Sequence, residues 1–178
     1  MKKIIIYNFI TILFTLPMMA KAQTKAPAAI TWYTVEKASE LNSKKHKKII
    51  MDVYTSWCSW CKKMDAETFT DPEVVAYMNE NFYPVKLNAE EKTPIKFEGK
   101  VYLNPDPERS RSVHEFAAMM LQGQMSYPSY VFLDGHNKQV TNLPGYHQAP
   151  EFLKVLKYIA EEQYKKMSWQ DYVNQPAK

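Results

Sequence analysis

The chain has 178 residues, a formal net charge of +4 and only two cysteines. Three of its lysines, Lys2, Lys3 and Lys21, precede Ala22, and without them 20 basic residues face 19 acidic ones. That balance gives nucleic acid or a charged membrane surface no electrostatic footing, and the length suits one domain.

The N-terminus reads as an export signal. Lys2 and Lys3 precede an apolar stretch from Ile4 to Leu16, Pro17 breaks it, and Ala20-Lys21-Ala22 supplies a small-x-small cleavage site. The stretch is short for a bilayer span, which needs about 20 residues. Cleavage after Ala22 leaves 156 residues. The expected layout is a signal peptide (1–22), a lead-in (23–29), one domain (30–166) and a C-terminal tail (167–178).

Ile30 to Tyr33 suggests a short strand, and Thr34 an N-cap for a helix to about Ser43 with Val35, Ala38 and Leu41 inward. The basic run from Lys44 to Lys48 reads as a solvated helix end and loop. Ile49 to Tyr54 is an apolar β-rich run of the kind buried in a sheet centre, with Asp52 its one misfit. After the cysteines a helix should run from Lys62 to about Phe69. A second follows Thr70-Asp71-Pro72-Glu73, with Val74, Val75 and Met78 inward. Phe82 to Leu87 is the next strand.

Ile95 to Phe97 and Lys100 to Tyr102 flank Glu98-Gly99 as a small hairpin. Asn104 to Pro107 is a loop, and Ser112 to Gln122 a helix with Val113, Phe116, Ala117 and Met120 inward and Gly123 as cap. Pro128 opens a strand, Ser129 to Leu133, whose antiparallel partner runs from Lys138 to Leu143 after a turn at Asp134-Gly135. Pro150 begins a long helix with Phe152, Leu153, Leu156 and Ile159 inward, and Ser168 caps a short tail helix. This order specifies a mixed α/β sheet with helices on both faces.

Cys58 and Cys61 stand in Trp57-Cys58-Ser59-Trp60-Cys61, where a strand hands over to a helix. In an oxidising compartment disulfides persist, yet so small a loop removes little unfolded-state entropy and is a poor staple. At a helix N-terminus Cys58 faces unpaired amides and the positive end of the dipole, and both favour a thiolate. Cys58 would then attack a substrate disulfide and Cys61, one turn on, would resolve the mixed disulfide. Two bland alternatives stand beside this, an inert structural disulfide and half a zinc site. Zinc wants four ligands, and His46, His114, His136 and His147 lack ligand spacing.

Residues Asp52 to Met64 resemble the active-site strand and helix of the thioredoxin superfamily. Asp52, six residues before Cys58, lies where thioredoxins bury an acid beneath the cysteines, and Lys86 where they keep the lysine that partners it. Tyr127-Pro128-Ser129 falls at the family's cis-proline loop, followed by a hydrophobic strand, the Asp134-Gly135 turn, a strand and Gly145. The likeness spans Thr31 to Tyr164 and implies the thioredoxin fold. It also implies a proton-exchanging Asp52 tuned by Lys86, and a backbone edge at Tyr127 and Pro128 for an extended substrate. Trp57 and Trp60 would form an apolar rim around the sulfurs, unless they serve core packing. The chain departs from thioredoxin in having Ser59-Trp60 between the cysteines and a longer segment from about 89 to 124. That segment resembles insertions in exported thioredoxin-like proteins of Gram-negative bacteria.

The expectation is an exported, periplasmic thiol–disulfide oxidoreductase acting on protein or peptide cysteines without cofactor or metal. Asp52 and Lys86 resemble those of the reducing members, and a reductase implies a membrane-bound thiol as electron donor. The alternative is a redox-inert or copper-delivering module on the same fold, with Met64, Met119, Met120 and Met125 as candidate soft ligands, although their helical and loop spacing reads more readily as core.

Overall fold

The computed structural model describes residues 29–175. The expected signal peptide and the lead-in to residue 28 lie outside the described residues. Thr34 caps α1 (Val35–Lys44), its hydroxyl accepting from the Lys37 amide at 3.2 Å. The apolar run becomes β1 (Lys48–Tyr54), and Cys58 caps α2 (Ser59–Ala66). Asp71 caps α3 (Pro72–Asn81) through the Glu73 and Val74 amides, with Pro72 in its first turn. There follow β2 (Phe82–Asn88), the hairpin β3 (Ile95–Phe97) and β4 (Lys100–Tyr102), and α4 (Glu115–Met120). The chain then forms β5 (Ser129–Leu133), β6 (Gln139–Pro144), α5 (Ala149–Ala160) and α6 (Trp169–Val173).

The main sheet has the order β2-β1-β5-β6, with β1 parallel to β2 and antiparallel to β5, and β5 antiparallel to β6. Period-2 alternation gives β1 two apolar faces. Ile49, Met51 and Val53 join Val85, Leu87, Val131 and Leu133 under α1, α4 and the hairpin. Ile50 joins Phe82, Tyr130 and Phe132 under α2, α3 and α5. Asp52 shares the parity of Ile50 and so points to the second face.

Four expectations are corrected. Ile30 to Tyr33 forms no strand, only a bridge from Tyr33 to Val85. α2 ends at Ala66, and a separate 3₁₀ turn covers Thr68–Thr70, because the Thr70 hydroxyl donates to the Ala66 and Glu67 carbonyls. α4 begins only after His114, whose ring accepts from the Phe116 amide at 3.1 Å, and Arg111 before it is left-handed (φ 61°). It ends before Gln122 and Gly123, both at positive φ. In α5 the inner stripe is Phe152, Val155, Leu156 and Ile159, with Leu153 only partly buried.

Candidate active site

After β1, the Cys58 amide donates to the Thr55 carbonyl at 3.2 Å, turning the chain into α2. Cys58 and Cys61 form a disulfide with a Cα–Cα distance of 5.3 Å. The Cys61 amide donates to Cys58 Sγ at 3.0 Å, so Cys58 caps the helix with its sulfur. The same amide and the helix dipole would stabilise a Cys58 thiolate once the pair is reduced. Both cysteines are buried, Cys58 at 6% exposure and Cys61 at 2%.

On the α2 side of the sheet lies a charge cluster of Asp52, Lys86 and Asp65, of which only Asp52 is fully buried. Asp52 on β1 stands in register between Lys86 on β2 and Tyr130 on β5. Its Oδ2 accepts from Lys86 Nζ, while Oδ1 is buried with no hydrogen-bond partner. Burial pushes the Asp52 carboxyl up to about 6, against the opposing pull of Lys86. Burial works against the Lys86 charge as well, but Asp52 and Asp65 outweigh it and raise the lysine above its ordinary value. Lys86 Nζ also donates to Asp65 Oδ1 and lies 4.9, 5.1 and 5.3 Å from the ring centroids of Trp32, Tyr54 and Phe69. Asp65 was not singled out from the sequence. Its signal is the spacing Cys61-x-x-x-Asp65, which puts both on one helix face.

The outer surface is aromatic. Trp57 and Trp60 are 48% and 54% exposed, so neither serves core packing. Trp57 meets Tyr127 edge-on at 5.9 Å, donates its indole N–H to Glu90 at 2.8 Å, and carries the Arg111 guanidinium 4.9 Å above its ring. Trp60 lies 5.5 Å from Tyr146, and Lys63 covers both rings. The Tyr127–Pro128 bond is cis, and the Tyr127 backbone N–H and C=O pair with no other described residue. The structure pairs Asp52 with Lys86, sets Trp57 against Tyr127 beside cis Pro128, and joins Cys58 to Cys61. Glu90, Arg111, Lys63 and Tyr146 escaped sequence reading, because no periodicity marks contacts made only in space, whether the residue lies in a loop or on a helix surface. Of the four methionines considered as soft ligands, Met64 and Met120 are core residues, and Met119 and Met125 are exposed.

Residues 35–160 match the family described as a thioredoxin-like domain. The chain belongs to this thioredoxin-like family. A curated relative, the thiol:disulfide interchange protein DsbD of Vibrio vulnificus, is 26% identical over 145 residues, covering 79% of this chain and 21% of the relative. The chain spans about a fifth or less of the curated relatives it matches. Among solved structures, the DsbH oxidoreductase aligns with a TM-score of 0.57 at 19% identity, covering 83% of this chain and 95% of that one. A thioredoxin from Thermus thermophilus aligns at 0.54 and 19% identity, covering 74% and 87%. The structural likenesses establish the thioredoxin fold. The family and the cysteine pair together support thiol–disulfide oxidoreductase chemistry in this thioredoxin-like chain. No helix among the described residues is long and apolar enough to cross a membrane.

Proposed function

We propose that this thioredoxin-like chain reduces disulfides of exported proteins or peptides in the periplasm of a Gram-negative bacterium. The observation that carries the reading is the Cys58 sulfur at the N-terminus of α2, accepting from the Cys61 amide, with the buried Asp52 on the same face of the sheet as α2. The Cys58 thiolate attacks one sulfur of the substrate disulfide. An S–S bond forms to Cys58, the substrate S–S bond breaks, and the departing sulfur takes up a proton. Cys61 then gives its proton to the Asp52 carboxylate and attacks Cys58 Sγ, closing the Cys58–Cys61 bond and releasing the second substrate thiol. Two electrons pass from the cysteine pair to the substrate. A membrane-bound dithiol is the proposed donor that restores the pair, itself becoming a disulfide.

Tyr127 and Pro128 offer the extended substrate its backbone pairing, and Trp57 and Trp60 supply the apolar contact around the sulfurs. Insulin reduction by wild type and by Cys58→Ser tests the chemistry, and an equal rate in both would overturn it. The potential of the Cys58–Cys61 couple tests the direction. A reductase should lie near about −270 mV, whereas a value near about −120 mV would make the protein an oxidant.

A further inference from the structure

The segment between β4 and α4 does more than lengthen the chain. Against the end of β2 it walls a cleft of about 460 Å³ whose lining includes Ser56, Glu90, Glu91, Lys92, Arg109 and Arg111. The wall is pinned by Asn104, which is 8% exposed. Its side-chain amide donates to the Glu91 and Ser112 carbonyls at 2.9 and 3.1 Å, and its oxygen accepts from the Ser112 hydroxyl at 2.6 Å. The His114 amide closes the base on the Ala89 carbonyl at 2.8 Å. So the cleft is built before any ligand arrives.

Its place is close to the chemistry. Ser56 in its lining is two residues from Cys58, and Arg111 lies over Trp57, which in turn touches Tyr127. A polypeptide paired to the Tyr127 backbone, with its cysteine at Cys58, would therefore bring neighbouring side chains to the cleft mouth.

The charges choose the ligand. The lining balances three acids against Lys92, Arg109 and Arg111, and each acid already faces a donor within the protein. Glu90 accepts from the Trp57 indole, Glu91 accepts from the Lys92 and Thr93 amides and the Thr93 hydroxyl, and Glu108 faces Lys92 at 3.7 Å. Arg109 and Arg111 are exposed, and among the described residues neither guanidinium has a carboxylate partner. A guanidinium is a planar fork of donors matched to a carboxylate.

We propose that this cleft is a subsite for a carboxylate-bearing side chain beside the reacting cysteine of the substrate polypeptide, received by Arg109 and Arg111. The proposal rests on the thiol–disulfide reading above. It gives the 89–124 segment a selective role, favouring acid-flanked cysteines over neutral ones.

Two peptides identical but for Asp and Glu against Asn and Gln around one cysteine, each a mixed disulfide with mercaptoethanol, provide the test. The rate constant with the reduced protein is divided by that with dithiothreitol, which absorbs the intrinsic effect of nearby carboxylates. The acidic peptide should be favoured about fivefold at low ionic strength. That ratio should fall to near unity at about 1 M salt and in Arg109→Gln/Arg111→Gln, while Arg111→Lys keeps part of it. Anisotropy of labelled peptides with serine in place of cysteine, bound to the oxidised protein, should show the same ratios without any exchange. Exchange at equal rates, or a preference surviving the double substitution, overturns the subsite and leaves the thiol chemistry standing. Arginine-dependent binding without exchange upholds the subsite and sinks the thiol chemistry. Neither binding preference nor exchange overturns both.

Discussion

The two sides of the disulfide are built from different materials. On the inner side, Asp52 and Asp65 share Lys86 inside a cage of three aromatic rings, and burial raises the Asp52 carboxyl. On the outer side, Trp57 and Trp60 are half exposed, and charged residues hold them from above. Charge buried behind the sulfurs governs proton transfer and stability, because removing it from water is costly. Charge spread over the mouth governs who binds, because solvent screens it and leaves the fold indifferent. Inner substitutions should therefore move pH profiles and unfolding midpoints, and outer ones KM.

The largest effect belongs to Lys86→Met. It leaves the buried Asp52 with no cation, and losing one partner of a buried pair costs about 3 kcal/mol. Without the lysine the Asp52 carboxyl rises further, so protonation relieves the loss in acid. Urea unfolding should show the full deficit at pH 8 and a clearly smaller one at pH 5. An equal deficit at both would mean that Lys86 acts by packing alone.

Asp52→Asn should move stability the opposite way. The native Asp52 titrates near 6, above its ordinary 3.8, so the folded state binds the proton more tightly than the unfolded one. The wild type gains that stability in full below about pH 4 and loses it as pH rises through about 6. At pH 8 the variant should be about 3 kcal/mol more stable than wild type, and at pH 4 nearly the same. At pH 7 its resolving step should slow by about a hundredfold, and the inflection near pH 6 should vanish from the rate profile. Stopped-flow release of the second substrate thiol measures both.

The inner side was far more legible in the sequence than the outer. Asp52 announced itself as the one charge in an apolar run, the thioredoxin likeness pointed to Lys86 as its partner, and the register places the two opposite each other. A disulfide of three-residue separation at a strand–helix junction was equally plain. Asp65 was readable only by helix spacing from Cys61 and went unnoticed among other charges. On the outer side, Trp57 and Trp60 were visible by adjacency to the cysteines, but Arg111 was not. It meets Trp57 because the segment from 104 to 112 folds around Asn104 with Arg111 left-handed, a conformation no hydrophobic period encodes. Boundaries failed for local reasons too. The α2 end was set by Thr70 bonding back to the chain, and the late start of α4 by the capping ring of His114.

On the outer side, Trp57→Ala should raise KM for a peptide disulfide about tenfold, since it removes the indole and frees Arg111 and Glu90. Trp60→Ala should raise it only about threefold, because Tyr146 and Lys63 keep covering that edge. Both should leave the pH profile and the urea midpoint unchanged. A shift of the inflection near pH 6 in either variant would erase the division between the two sides.

The smallest effect tests how Trp57 is held. Its indole N–H needs only an acceptor at Glu90, and a neutral amide oxygen accepts as well as a carboxylate does, though less strongly. Glu90→Gln should therefore change KM by no more than about twofold, and Glu90→Leu by about fourfold as the indole loses its partner. Equal, large losses in both would mean that the negative charge itself steers Arg111 onto the ring. The outer side would then depend on electrostatics as much as the inner side does, and added salt would weaken Trp57 contacts in the wild type to the same extent.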